Sequence, residues 1–271
     1  MSKKLNGFVL VELSIFLIFY VTTFQEREAK RMEPPKLSLV IPVYNEEESL
    51  PELFKELMEV LETLSVSFEI IFIDDGSKDR SGAILRKFAQ QDGRVKIIFF
   101  QKNCGQSAAF AAGFRSARGE IVVTMDADLQ NDPHDIPLLL DQIASYDVVC
   151  GWRAIRQDSL VRKLSSWIAN RIRNWLSDEQ IRDVGCSLKA FRRECLQSFH
   201  YFKGMHRFFP TLLKMEGYSV TEIKVNHRHR KFGEAKYGIG NRALRGLVDL
   251  LAVRWMKNRH LNYEVKEILN G

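Results

Sequence analysis

Asp126-Ala127-Asp128-Leu129-Gln130 sets two carboxylates two residues apart, where an apolar run gives way to a polar stretch. Carboxylates so spaced can share one hard divalent cation, and Gln130 can add an amide oxygen. Mg²⁺ and Mn²⁺ suit such a site, because they take few carboxylates and fill their shells with substrate phosphates and water. A metal there would neutralise a diphosphate leaving group. By itself an Asp-x-Asp is more often a solvated acidic turn. Two further stretches shift that balance. Asp74-Asp75-Gly76-Ser77 offers short carboxylates that can accept hydrogen bonds from a ribose or base, and it can equally cap a following helix. Pro42-Val43-Tyr44-Asn45-Glu46 can set Tyr44 against a base, or can simply be a bent strand end leading into a helix.

These residues need elements that bring them together. LSLVIPV (37–43), FEIIFID (68–74), VKIIFF (95–100), EIVVTMD (120–126) and YDVVCG (146–151) read as strands. Between them, helices are expected over about 50–64, with Leu50, Leu53, Phe54, Leu57, Val60, Leu61 and Leu64 near a 3.6 period, and over 81–91, 106–117 and 136–144. The alternation predicts an α/β fold with a mostly parallel, Rossmann-like sheet and helices on both faces. Ligands of such sheets bind at the carboxyl ends of strands, where Asn45-Glu46, Asp74-Asp75, Asn103 and Asp126-Ala127-Asp128 all fall. Beyond 151 the pattern loosens. A basic amphipathic helix is expected over 160–176, strands over 184–191 and 218–225 around a helix near 207–215, a polar loop over 227–240 and a last helix over 241–258.

The chain has 271 residues, 45% of them hydrophobic and 27% charged, so it can bury a core and is not disordered throughout. Its four Cys form no Cys-x-x-Cys pair, which argues against a disulfide framework or a zinc site. The net charge of +6 is unevenly spread. Residues 1–150 hold 16 Lys+Arg against 23 Asp+Glu, and residues 151–271 hold 24 against 11. A basic half beside an acidic half suggests an anionic partner: nucleic acid, a phosphate-bearing substrate or a lipid surface. No nucleic-acid motif accompanies the charge, so none is expected as partner. FVLVELSIFLIFYVTTF (8–24) is a hydrophobic N-terminal helix slightly short of the ~20 residues that span a bilayer, and it contains Glu12. A membrane anchor and a buried or surface-lying helix are both open readings. If it spans, the heavier positive flank at Arg27, Lys30, Arg31 and Lys36 leaves the following domain on the cytoplasmic side. The expected organisation is an N-terminal segment and linker over 1–33, a catalytic domain over 34–258 and a tail over 259–271.

VIPVYNEEESL, IDDGSKDRS and NCGQSAAFAAGFRSARGEIVVTMDADLQNDP resemble the nucleotide-sugar half of family 2 inverting glycosyltransferases of the GT-A fold. The DADLQ form resembles the dolichol-phosphate mannosyltransferase-like branch, the polyprenyl-phosphate sugar synthases. The resemblance runs from about Leu37 to about Trp255. It implies that Pro42, Tyr44, Glu46 and Asp74 surround the nucleoside, with Asp75 and Asp126 completing the donor set. It also implies that Asp126, Asp128 and Gln130 bind Mg²⁺ or Mn²⁺. GWRAIR (151–156) and VRKLSS (161–166) resemble family segments that contact phosphate, implying roles for Arg153, Arg162 and Ser166. Arg suits that task because its planar fork grips phosphate bidentately. HRHRKFGEAKYG (227–238) resembles a loop that closes over the site, adding Arg228, Arg230 and Lys236, with Ala235 where the family usually has Ser.

The activity implied is transfer of a sugar from a UDP- or GDP-sugar to a polyprenyl phosphate, with inversion. Asp128, Arg153, Arg162 and Asp183 are the expected catalytic groups. An ionised phosphate acceptor needs no strong base, so catalysis would rest on positioning and electrostatics. Transfer to a sugar hydroxyl is the alternative; it needs a carboxylate base, and Asp183 is the candidate. A non-catalytic subunit that binds nucleotide or membrane is the other. The partners expected are the nucleotide-sugar, the polyprenyl phosphate and a membrane surface, met through the N-terminal stretch and the basic amphipathic helices. A homo-oligomer is compatible with the sequence.

Overall fold

The computed structural model describes residues 34–154, 181–197, 201–232, 239–261 and 266–267. The elements below belong to the compact unit Lys36–Gly271. In chain order they are β1 (Leu37–Val43), α1 (Leu50–Thr63), β2 (Phe68–Asp74), α2 (Ser81–Gln91), β3 (Val95–Phe99), α3 (Gln106–Ser116), β4 (Ile121–Thr124), α4 (Ile136–Ile143), β5 (Val148–Arg153), β6 (Lys189–Arg192), α5 (Phe209–Met215), β7 (Val220–Val225) and α6 (Ile239–Arg259). The seven strands form one sheet in the order β3-β2-β1-β4-β6-β5-β7. Only β6 runs against the others, pairing antiparallel with β4 and β5.

Alternation decides which face each strand residue covers, even where the whole strand is buried. Leu37, Leu39, Ile41 and Val43 of β1 join one core with Leu53 and Leu57 of α1, Leu85 of α2 and Leu139 of α4. Val40 points the other way, into a second core with Phe110 and Phe114 of α3, Phe209 of α5 and Leu250 and Val253 of α6. Both faces are therefore covered, as a largely parallel sheet requires. Helix α3 packs closely on the sheet at Gly113. A Cβ at Gly113 would fall 2.2 Å from Val40 Cγ1, so glycine lets the helix sink onto β1 and β2.

Several boundaries differ from the sequence expectation. β4 ends at Thr124 rather than Asp126, because its ladders with β1 and β6 both stop there. β5 runs on to Arg153, since its pairing with β7 continues to Arg153↔Val225. Residues 184–188 are not strand: the chain turns there, and the buried Lys189 ammonium donates to the carbonyls of Val184 and Cys186. The helix near 207–215 is divided into a 3-10 turn, Met205–Arg207, and α5, which starts at Phe209 with Pro210 in its first turn. The N-terminal hydrophobic stretch and the helix expected over 160–176 lie outside the described residues.

Candidate functional site at the carboxyl ends of the strands

The strand order reverses direction between β1 and β4, which creates a crevice at their carboxyl ends. Two backbone positions there are left-handed without being glycine: Asn45 (φ 53°) after β1 and Leu129 (φ 62°) after β4. Such a conformation in a branched apolar residue costs on the order of 1–3 kcal/mol. Leu129 is held in it because its side chain is buried in the core, between the more exposed Asp128 and Gln130. Asn45 is fixed by two bonds to the β2 exit, its N–H donating to Ser77 Oγ at 3.0 Å and its Oδ1 accepting from the Lys78 N–H at 2.8 Å.

A cavity of about 740 Å³ opens beside these exits, lined by Tyr44, Asp74, Gly76, Arg86, Phe99 and Lys102 among others. Its walls are set by close backbone approach. Gly76 has φ +71°, and a Cβ there would sit 2.5 Å from the Lys102 carbonyl carbon. Asp74 Oδ1 accepts from the Ser77 N–H at 2.8 Å, and Arg86 stacks over the Phe99 ring at 4.1 Å. Tyr44 and Asp74 thus line one cavity. The other donor candidates have different placements. Pro42 sits in the β1 ladder opposite Ile73. Glu46 accepts from Ser49 Oγ at 2.8 Å. Both oxygens of buried Asp75 accept backbone N–H groups, from Cys104 at 2.6 Å and Gly105 at 2.9 Å. That role fixes the loop entering α3, and burial raises the Asp75 pKa despite the two bonds.

Asp126 is held at the foot of the site by the Gln106 amide, which donates to Oδ1 at 2.7 Å, and by Ser187. Burial and the like charge of Asp128 push its pKa up to about 6. A carboxylate pair so placed calls for a cation. Part of that need is met by Arg230, whose Nη2 lies 2.5 Å from Asp128 Oδ2 and 3.5 Å from Gln130 Oε1. Two carboxylates and an amide that already gather a cation fit the donor set expected for Mg²⁺ or Mn²⁺. Among the described residues no group of three or more His, Cys, Asp and Glu forms a metal cage.

On the other side of β4, Arg153 at the end of β5 is paired with Asp183. Nε donates to Oδ2 at 2.7 Å and Nη2 to Oδ1 at 3.0 Å. Both side chains are largely buried, and the attraction of Asp183 outweighs the burial that opposes the Arg153 charge. Asp183 is oriented in turn by Glu222, which accepts from the backbone N–H groups of Arg182 and Asp183. Arg153 also lies close enough to Asp126 for each to feel the other's charge. Arg228 is drawn away from the metal pair to Glu56 and Asp132, at 2.6 Å each. Arg162, Ser166 and Lys236 lie outside the described residues.

Four residues that hold the site were not among those singled out from sequence: Gln106, Asn131, Ser187 and Lys189. Asn131 Oδ1 accepts from Ser187 Oγ at 2.7 Å and from the Asp126 N–H at 3.3 Å, linking the β4 exit to the turn before β6. A lysine inside the apolar run of β6 was the available signal, because a buried Lys needs a structural reason.

Residues 38–199 match the family described as glycosyl transferase family 2. The chain is 38% identical over 224 residues to the dodecaprenyl-phosphate galacturonate synthase of Rhizobium johnstonii, covering 80% of this chain and 66% of that protein. It is 41% identical over 217 residues to the undecaprenyl-phosphate 4-deoxy-4-formamido-L-arabinose transferase of Pseudomonas fluorescens, covering 79% and 63%. The chain thus spans somewhat less than two thirds of the length of these curated relatives. Among solved structures, the fold is similar to glucosyl-3-phosphoglycerate synthase from Mycobacterium tuberculosis in complex with Mn²⁺, UDP and glucosyl-3-phosphoglycerate (TM-score 0.60, 17% identity, 84% of this chain and 81% of that one). It is also similar to a mannosyltransferase from Pyrobaculum calidifontis in complex with GDP-Man and Mn²⁺ (TM-score 0.54, 19% identity, 86% and 66%). With its GT-A-like sheet, its Asp-x-Asp at the β4 exit and this match over more than half its length, the chain belongs to glycosyl transferase family 2.

Proposed function

We propose that this protein transfers a sugar from a UDP- or GDP-sugar to a polyprenyl phosphate, with inversion at the anomeric carbon. The relatives named for dodecaprenyl- and undecaprenyl-phosphate sugars support the acceptor class. The observation that carries the reading is the Arg153–Asp183 pair. A hydroxyl acceptor requires a base, and the Asp183 carboxylate is engaged at both oxygens by one guanidinium. A phosphate acceptor arrives already ionised, and its oxygen attacks the anomeric carbon opposite the leaving diphosphate.

The chain's own residues then bind and orient. Tyr44 and Asp74 take the nucleoside in the cavity. Asp126, Asp128 and Gln130 hold the metal. When bound, Mg²⁺ or Mn²⁺ supplies positive charge to the leaving diphosphate. Among the described residues no bond engages Nη1 of Arg153, and this guanidinium would bind the acceptor phosphate together with Arg162, Ser166 and Lys236.

Helix α6 carries the contact with the membrane. Leu250 and Val253 pack inward, whereas Val248, Leu251 and Trp255 are 59%, 52% and 64% exposed. Their i, i+3, i+7 spacing makes one outward apolar stripe, beside exposed Arg254 and Arg259. Trp with Arg on such a face suits an anionic lipid surface, here on the cytoplasmic side.

The test is a product assay. Purified protein is incubated with Mg²⁺ or Mn²⁺, undecaprenyl phosphate and a pool of nucleotide-sugars, and the extracted lipid is weighed by mass spectrometry. A lipid gaining one sugar, lost with EDTA, is the expected result. Nucleoside diphosphate released only with a glycan acceptor would move the protein to hydroxyl transfer.

A further inference from the structure

The strap after β7 crosses the Asp-x-Asp site and is fastened on both sides of Arg230. Asn131 and His227 form an isolated β-bridge, and the Arg228 N–H donates to the Gln130 carbonyl at 3.0 Å. The Arg228 side chain is clamped by Glu56 and Asp132, and Lys231 pairs with Glu52 on α1. Arg230 lies between these anchors, its guanidinium on Asp128 Oδ2 and near Gln130 Oε1. Two of the three groups assigned to the metal therefore already hold a protein cation.

We propose that Arg230 is the resident cation of this site, and that the metal and Arg230 exchange on Asp128 when the donor loads. This rests on the assignment of Asp126, Asp128 and Gln130 to the metal. Asp128 Oδ2 cannot give its strongest contact to both cations, so metal alone must compete with a charge-assisted hydrogen bond. Arg230 is 30% exposed and its neighbours hold the strap, so its side chain can swing without the strap leaving. A diphosphate offers the displaced guanidinium a new partner. Nucleotide binding therefore strengthens metal binding, and by linkage metal strengthens nucleotide binding equally. The exchange keeps the carboxylate pair compensated before loading and makes metal retention conditional on a donor.

The test is Mn²⁺ binding to the full chain, followed by the electron paramagnetic resonance signal of free Mn²⁺, with and without UDP. In the unaltered protein, UDP is expected to tighten Mn²⁺ binding strongly. Arg230→Met keeps the stem without the charge; it is expected to bind Mn²⁺ alone about tenfold more tightly, with a correspondingly smaller gain from UDP. Arg230→Lys keeps a charge without the fork and is expected to fall between the two. Unchanged or weaker Mn²⁺ binding in folded Arg230→Met, or in Arg230→Lys should the first variant not fold, overturns the exchange. Asp128→Asn in the same titration separates the two ideas. If it removes the Mn²⁺ site while the Arg230 variants change nothing, only the exchange fails. If it leaves Mn²⁺ binding intact, the metal assignment fails as well.

Discussion

The carboxylates on the two sides of β4 are held in opposite ways. On the donor side, Asp74, Asp75 and Asp126 are gripped by backbone N–H groups and neutral side chains from Ser77, Cys104, Gly105 and Gln106. Their charge is oriented but poorly neutralised, and burial pushes Asp75 and Asp126 toward protonation. Beyond β4, Asp183 is matched to Arg153 and Asp132 to Arg228, so those two charges are neutralised inside the protein. Against its burial, hydrogen bonds from His134 and then the charge of Arg228 hold Asp132 below the usual carboxylate range, and Asp183 holds Arg153 above the usual guanidinium range. The contrast teaches a division of labour. The Asp126–Asp128 pair rests on Arg230 until a cation comes with the donor, whereas Asp183 is closed by Arg153 inside the protein.

The largest effect expected is from Asp128→Asn. Removing half of the waiting pair should lower metal-dependent sugar transfer by at least about 10³-fold, as for other groups that stabilise charge in a transition state. Steady-state assays across Mn²⁺ concentrations check this, with circular dichroism to show an intact fold. Activity within tenfold of the starting protein would erase the distinction between the halves.

A pH series sharpens it. The folded Asp126 takes up a proton near pH 6, not near 3.8. A protonated carboxyl cannot ligate, and the metal must displace the proton. Mn²⁺ affinity should thus be full above this pH and fall by up to about tenfold per unit below it. In metal-free Asp128→Asn, the Asp126 titration followed by carboxyl NMR should shift down, because a like charge has been removed. An inflection near pH 4 in the starting protein would mean that Asp126 is compensated despite its burial beside Asp128.

The smallest effect concerns the far edge of the basic half. Trp255→Ser on α6 should weaken co-sedimentation with anionic vesicles about fivefold, consistent with about 1 kcal/mol for a partly exposed aromatic entering an interface. Nucleotide binding in the cavity should stay within about twofold, since Trp255 is not among the residues that line it. Equal vesicle binding by both proteins would remove α6 as the contact.

The donor half was legible in the sequence to a degree the other half was not. Its strands are continuous apolar runs, and their carboxyl ends are marked by Asn45, Asp74, Asn103 and Asp126. In a parallel sheet the direction of each strand follows from its crossover helix, so reading β1 to β4 locates all four exits at one edge. Beyond β4 that logic lapses. β6 enters antiparallel between β4 and β5, and no local pattern announces which neighbours a short strand will choose. Asp183 was named from sequence as a candidate base, but its pairing with Arg153 joins residues thirty positions apart and could not be read from spacing.

The types of residue, their order and the alternation of apolar runs by themselves determined the layered sheet, the edge that carries chemistry and the Asp-x-Asp at its centre. These are properties of short stretches, fixed by side-chain periodicity and by where an apolar strand must stop. Tertiary structure decided which charges meet. Asp75 became a loop anchor, Arg228 went to Glu56 and Asp132, and Arg230 came to rest on Asp128. An ion pair depends on distances of a few ångströms between groups that, like Glu56 and Arg228, stand 172 residues apart, and only the packed fold sets those distances.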